Sequence, residues 1–237
     1  MKKLYNDILS ARQIGRKLLA ILLDPDKIDW ETLDILVGKI NSSGATHILI
    51  GGSHVFTDRM DELIVEIKDS CQLPVILFPG NPSQISHKAD GILFLSLLSG
   101  RNPDFLIGHH VKAASVLHQS ELEIIPTGYI LVESQSETAV AKVSGTKPLE
   151  NPDEIVNTAL AGQMLGKKLI YLEAGSGAKN PVPLSLVKSV SQKLEIPLIV
   201  GGGIRSKKGI ENAFESGADM VVIGTAFEND MNFFDRG

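Results

Sequence analysis

Eight short apolar runs divide this chain, each closed by glycine, proline, aspartate or serine and most followed by a segment with helical periodicity. In order they read LLAILLD, THILIGG, PVILFPG, GILFLSL, LEIIPTGYILVE, KKLIYLEAG, IPLIVGGG and DMVVIGT. A strand wetted on one face alternates apolar with polar residues. These runs are apolar throughout, which requires both faces to be covered, as in a parallel sheet under helices. Helical spacing falls at 31–40, 58–70, 104–118, 152–165, 184–194 and 207–216. Eight evenly spaced strand-then-helix units with no Gly/Ser/Pro-rich linker predict a (β/α)8 TIM barrel, a single domain over residues 1–237. An open doubly wound sheet is the alternative, disfavoured because the strands are evenly spaced with no obvious second-domain insertion.

One connection breaks the rhythm. Between the third and fourth runs lies only PGNPSQISHKAD, where Pro79 and Pro82 leave room for little more than a turn. The third outer helix is therefore expected to be missing or much reduced. The result is either a trimmed barrel or an apolar side slot walled by Leu95, Leu97 and Leu98.

Bulk properties exclude several classes. A formal net charge of -5 argues against nucleic acid, whose phosphates need a basic face. Cys71 is the single cysteine, so there is no disulfide framework or thiolate metal cluster, and a reducing, cytoplasmic setting is the expectation. Polar residues interrupt any signal core near the start, and no apolar run is long enough to span a membrane, although peripheral contact with a lipid stays open.

In a barrel the loops after the last strands often hold phosphate. Three of them here are glycine-rich: EAGSGA (173–178), GGGIRS (201–206) and GTAF (224–227). Bare glycines let backbone N–H groups converge on an anion, although glycine also ends strands and permits close helix packing. Ser206 is placed to cap the following helix and Thr225 to add a hydroxyl, while Arg205 suits either an anion or a surface ion pair.

Opposite these loops, LLDPDK puts Asp24 at the end of the first strand, and GGSH puts Ser53 after the second. Asp before Pro commonly serves as a turn cap. As metal ligands, one carboxylate and one hydroxyl suit Mg²⁺ held mainly by water and substrate phosphate. Glu173, ending the sixth strand beside a phosphate cup, is a candidate hydrogen-bond acceptor for substrate hydroxyls or a general base, with Lys168 as a possible ion-pair partner. His109 and His110 diverge on a helix and are expected at a solvated surface. Asp58, Asp61 and Glu62 are expected on an exposed helix face. No nucleophile elbow, P-loop or zinc-protease pattern is present.

Taken together, LLDPDK, GGS, YLEAGSGA, VGGGIRS and VIGTAFE, in this order over nearly the whole chain, resemble the geranylgeranylglyceryl phosphate synthase family, which includes the bacterial heptaprenylglyceryl phosphate synthases. The resemblance implies ether-bond formation between the C3 hydroxyl of sn-glycerol 1-phosphate and a long-chain prenyl diphosphate such as geranylgeranyl diphosphate, with release of pyrophosphate. It implies Mg²⁺ at Asp24 and Ser53, with Asp24 and Glu173 as catalytic residues. It places glycerol phosphate on Tyr171, Leu172, Glu173, Ala174, Gly175, Ser176 and Gly177, with Gly202, Gly203, Gly224 and Thr225, and sets Tyr129 near the acceptor. A homo-oligomer and a reduced third helix are further family traits. Two other readings of the same residues remain: an isomerase or synthase acting on another phosphorylated metabolite, and a non-catalytic phosphate-ligand binding protein.

Overall fold

The computed structural model describes residues 4–235; residues 1–3 and 236–237 of the expected domain lie outside that range. The eight apolar runs form β1 (Leu18–Leu23), β2 (His47–Ile50), β3 (Val75–Leu77), β4 (Gly91–Leu97), β5 (Glu123–Leu131), β6 (Leu169–Glu173), β7 (Leu198–Gly201) and β8 (Met220–Ile223). All neighbours are parallel, and β8 returns to pair with β1, closing a (β/α)8 barrel. Side chains alternate between two cores. Ala20, Leu49, Ile76, Leu93, Ile125, Tyr171, Ile199 and Val222 fill the barrel, while Ile21, Ile48, Val75, Ile92, Ile130, Leu172, Val200 and Val221 face the helices. Double-sided burial is thus the reason the strands are uniformly apolar.

The helices are α1 (Leu4–Gln13), α2 (Leu33–Ser42), α3 (Met60–Ser70), α4 (His109–His118), α5 (Ala139–Ser144), α6 (Pro152–Met164), α7 (Leu184–Ser191), α8 (Lys207–Glu215) and α9 (Thr225–Asn229). The periodic segment at 104–118 starts with a π-helical stretch over Asp104–Gly108. The segment at 31–40 starts with a 3₁₀ turn over Trp30–Thr32. Between β3 and β4 there is a single 3₁₀ turn, Pro82–Gln84, so the third outer helix is absent as expected.

The helix ahead of β1 was not expected. Leu4, Ile8 and Ala11 recur on one face of α1 and join the inner core, so α1 closes the floor of the barrel. Gly91 leaves the room this needs, because a Cβ there would lie 2.7 Å from Leu4 Cδ1. The Glu123 carboxylate of β5 accepts the Leu4 and Tyr5 amides at 2.6 and 3.0 Å, satisfying donors that the first turn leaves open. Glu123→Ala should therefore cost on the order of 1–3 kcal/mol in urea unfolding, with the barrel mouth unaffected.

Three side chains depart from expectation. His110 is buried rather than solvated: its ring meets Phe94 edge-on at 4.3 Å, and Nε2 lies 3.1 Å from Ser96 Oγ. Its neighbour His109 is half-buried against Phe105. Leu98 does not wall a slot; it turns outward and packs over the space that Gly128 and Gly162 leave open. By contrast, Asp58, Asp61 and Glu62 are exposed. Cys71 is free and buried. Among the described residues, no helix is long and apolar enough to cross a membrane.

Candidate active site

The C-terminal ends of the strands open into a cavity of about 320 Å³. Glu173 ends β6 with its side chain turned inward, following Leu169 and Tyr171 by alternation, and is only 5 % exposed. Burial pushes its pKa up to about 7, against the pull of the Gly175 amide and the Tyr171 hydroxyl towards the charged form. The Gly175 N–H donates to Oε1 at 2.6 Å. The Tyr171 hydroxyl is buried facing this carboxylate without a hydrogen bond of ordinary geometry. Lys168 is not its partner: it precedes β6 at the opposite end, 5.0 Å from the Tyr5 ring. A carboxyl group poised near neutrality is suited to taking a proton at physiological pH.

The three glycines that end and follow β7 have separate reasons. Gly201 still belongs to the strand, and a Cβ there would lie 2.3 Å from the Tyr171 hydroxyl. Gly202 has φ +82°, and a Cβ would meet Glu173 Oε1 at 2.3 Å and the Gly175 nitrogen at 2.6 Å. Gly203 keeps the backbone clear of Asn180. Part of this glycine run therefore exists to let β7 approach the Glu173 loop, and the bare face it leaves opens on the cavity.

Ser176 Oγ and Thr225 Oγ1 lie 3.2 Å apart, joining the loops after β6 and β8 across the rim. Gly175, Gly177, Gly202, Gly203, Gly224 and Thr225 all line the cavity. Leu172 and Ala174 do not: their side chains face the helix layer, and the Ala174 amide is engaged by the Gly201 carbonyl at 3.0 Å. Strand alternation sends these two residues away from the mouth, which a contiguous reading of the YLEAGSG stretch overlooks. Ser206 caps α8 by accepting the Gly209 N–H at 3.0 Å. Arg205 also lines the cavity and forms no salt bridge among the described residues; its guanidinium donates to the Ala178 carbonyl at 2.7 Å and ties down the β6 loop.

Across the mouth, Asp24 is the turn cap and also stands at the cavity. Oδ1 accepts the Asp26 N–H at 3.2 Å, capping the 3₁₀ turn Pro25–Lys27, while the side chain also borders the cavity. Lys27 Nζ lies 3.2 Å from Asp24 Oδ2 and 3.0 Å from Glu228 Oε2, and Glu228 Oε1 accepts the Asp24 amide at 3.2 Å. Ser53 lines the same cavity. Among the described residues no group of three or more His, Cys, Asp or Glu side chains converges as a metal cage. The donors are hard oxygens and few in number, a set that fits Mg²⁺ carried largely by phosphate and water.

Where the third helix is absent, an apolar cavity of about 100 Å³ lies between β4, α4 and the Pro79–Pro82 turn, with Leu95, Leu97, Phe105 and Ala113 in its wall. It shares Ser53, Phe78, Tyr129 and Val140 with the mouth, so slot and mouth meet. Tyr129 is buried there, its ring 5.3 Å from that of Tyr171, and burial holds its hydroxyl well above the usual tyrosine pKa. Lys27, Phe78, Val140 and Glu228 escaped the sequence reading. Only the Asp-Pro-Asp-Lys run hinted at the first, and Glu228 comes from 204 residues along the chain.

The PcrB family pattern matches residues 11–236. A geranylgeranylglyceryl phosphate synthase of Flavobacterium johnsoniae is 62% identical over 234 residues, covering 98% of this chain and 96% of that protein. One of Zunongwangia profunda is 51% identical, covering 97% and 98%. The crystal structure of (S)-3-O-geranylgeranylglyceryl phosphate synthase from Thermoplasma acidophilum, in complex with substrate sn-glycerol-1-phosphate, superposes with a TM-score of 0.93 at 35% identity. That superposition covers 99% of this chain and 95% of that one.

Proposed function

Because the chain belongs to the PcrB family, we propose that it transfers a prenyl group from its diphosphate to the C3 hydroxyl of sn-glycerol 1-phosphate. The observation that carries this reading is the junction of two unlike cavities. A rim of glycine amides and the Ser176 and Thr225 hydroxyls suits a small phosphorylated polyol, and an apolar slot meets it beside Tyr129. A barrel that isomerises a small phosphorylated metabolite has no use for such a slot.

In this reading the glycerol phosphate anion rests on the loops after β6, β7 and β8, where backbone N–H groups and hydroxyls replace its hydration shell. The diphosphate lies near Asp24 and Ser53, with its chain in the slot. When Mg²⁺ is bound, it supplies charge stabilisation to the departing pyrophosphate. The allylic C–O bond breaks with its electron pair leaving on pyrophosphate, and the C3 oxygen of the acceptor donates a pair to the allylic carbon. The hydroxyl proton passes to Glu173, whose raised pKa lets it accept a proton near pH 7 and release it afterwards to solvent. Leu95, Leu97 and Phe105 keep water from the cationic carbon. The same reading includes the homo-oligomer that the resemblance implies and the reducing, cytoplasmic setting expected from the single cysteine.

The test is pyrophosphate release and ether-product formation with sn-glycerol 1-phosphate against sn-glycerol 3-phosphate, using prenyl diphosphates of graded length. Turnover with the 1-phosphate and long chains supports the reading; absence of turnover with every pair overturns it. Asp24→Asn should lower turnover by on the order of a hundredfold or more while sn-glycerol 1-phosphate binds as before in calorimetry, because the acceptor uses the opposite rim. Equal loss of acceptor binding would contradict this division of the mouth.

A further inference from the structure

Lys27 occupies an unusual position for a salt-bridging lysine. Its ammonium sits between two carboxylates that both line the active-site cavity, 3.2 Å from Asp24 Oδ2 and 3.0 Å from Glu228 Oε2. The anionic partners are the more enclosed: their side chains are 21% and 13% exposed, against 50% for Lys27. Glu228 also holds the Asp24 backbone through its amide, so one carboxylate fixes both the ammonium and the residue it neutralises. Asp24 Oδ1 is committed to the Asp26 amide, which leaves Oδ2, the atom under Lys27, as the oxygen facing a cation.

We propose that Lys27 is a resident counter-ion for Asp24, displaced from it by the magnesium–diphosphate complex and passed to the diphosphate while Glu228 keeps it tethered. Two cations do not share one carboxylate oxygen without repulsion. Arrival of the metal therefore drives the ammonium off Oδ2, and a half-exposed, flexible lysine has the freedom to swing. Glu228 limits that swing to the mouth, where the incoming diphosphate is the strongest unpaired anion. The pairing has two consequences: free Mg²⁺ binds poorly because Lys27 competes for its ligand, and the metal–diphosphate complex binds well because it gains the ammonium. The metal then enters together with the diphosphate, and the pyrophosphate leaving group has an additional counter-charge. Lys27 is a binding and leaving-group residue in this scheme, and Glu228 a positioning residue.

This inference rests on the proposed prenyl transfer, and binding measurements separate the two. Calorimetric titrations with MgCl₂ alone and with magnesium pyrophosphate should be compared in the wild-type protein, Lys27→Met and Lys27→Arg, each checked for an unchanged thermal melt. In Lys27→Met, free Mg²⁺ should bind about tenfold more tightly and magnesium pyrophosphate about tenfold more weakly, the scale of one hydrogen bond between charged groups. Lys27→Arg should restore the wild-type order. Opposite movement of two affinities is not the behaviour of a merely structural ion pair, which would weaken both or neither. If the two affinities move together or stay unchanged, the counter-ion role is overturned while the prenyl-transfer reading stands. If the wild-type protein fails to bind magnesium pyrophosphate, both are overturned.

Discussion

Glu173→Gln should give a protein that melts higher than wild type at pH 8 and barely turns over. In the folded protein the carboxyl titrates near 7, against 4.5 for an ordinary glutamate, because burial disfavours its charge. A folded-state pKa raised in this way means that the folded protein binds the proton more tightly than the unfolded chain. The associated stability is fully present below about pH 4.5 and is lost as pH rises through 7. At 1.36 kcal/mol per pKa unit, the penalty above neutrality is about 3 kcal/mol. The glutamine keeps the size and still accepts the Gly175 N–H at its carbonyl oxygen, but carries no charge to bury. Urea unfolding at pH 5 and pH 8 measures the effect. The stability difference between variant and wild type should be small at pH 5 and grow in the variant's favour by pH 8. Turnover should fall by on the order of a hundredfold or more with loss of the proton acceptor. A variant less stable than wild type at pH 8 would show that the carboxylate is well solvated after all.

The second large effect is expected at Gly202. An alanine Cβ would arrive 2.3 Å from Glu173 Oε1 and 2.9 Å from the Ala174 nitrogen, at a φ of +82° that L-residues rarely adopt. Neither the backbone of the β6 loop nor a carboxylate already held by the Gly175 amide gives way without cost. Gly202→Ala should therefore lose on the order of 2–4 kcal/mol and most of its affinity for sn-glycerol 1-phosphate, measured by denaturation and calorimetry. Gly38→Ala is the matched control. It sits within α2 on an exposed face, a Cβ there meets nothing within 4 Å, and the substitution should gain about 0.5–1 kcal/mol. Should both variants behave alike, the destabilisation at 202 would have to be assigned to something other than the approach of β7 to Glu173.

That Gly202 ends a strand and that Glu173 precedes a glycine loop is visible in the residue order. That they press on one another is not, because the contact crosses from β6 to β7 and depends on their register, Glu173 opposite Gly201. The same limit explains the other departures. Adjacent histidines on a helix diverge, which alone puts His110 at the surface, yet α4 lies where the absent third helix leaves β4 open, and this ring is drawn against Phe94. A slot walled by Leu95 and Leu97 has no place for Leu98, which follows β4 and turns to the space over Gly128 and Gly162. The helix α1 has a legible apolar spacing at Leu4, Ile8 and Ala11. Its place under the barrel depends on Glu123, more than a hundred residues away.

Residue order alone established the eight doubly buried strands, the missing helix after β3 and the glycine and carboxylate positions at the strand ends, because apolar period, proline and glycine act over a few residues. Barrel closure decided the rest. It shut Glu173 away from water and so moved its proton affinity to neutrality, and it joined the apolar slot to the mouth at Tyr129. It also brought Glu228 to Asp24 and Lys27 from the far end of the chain. Desolvation and long-range contact are properties of the enclosed volume, and no local stretch of sequence carries them.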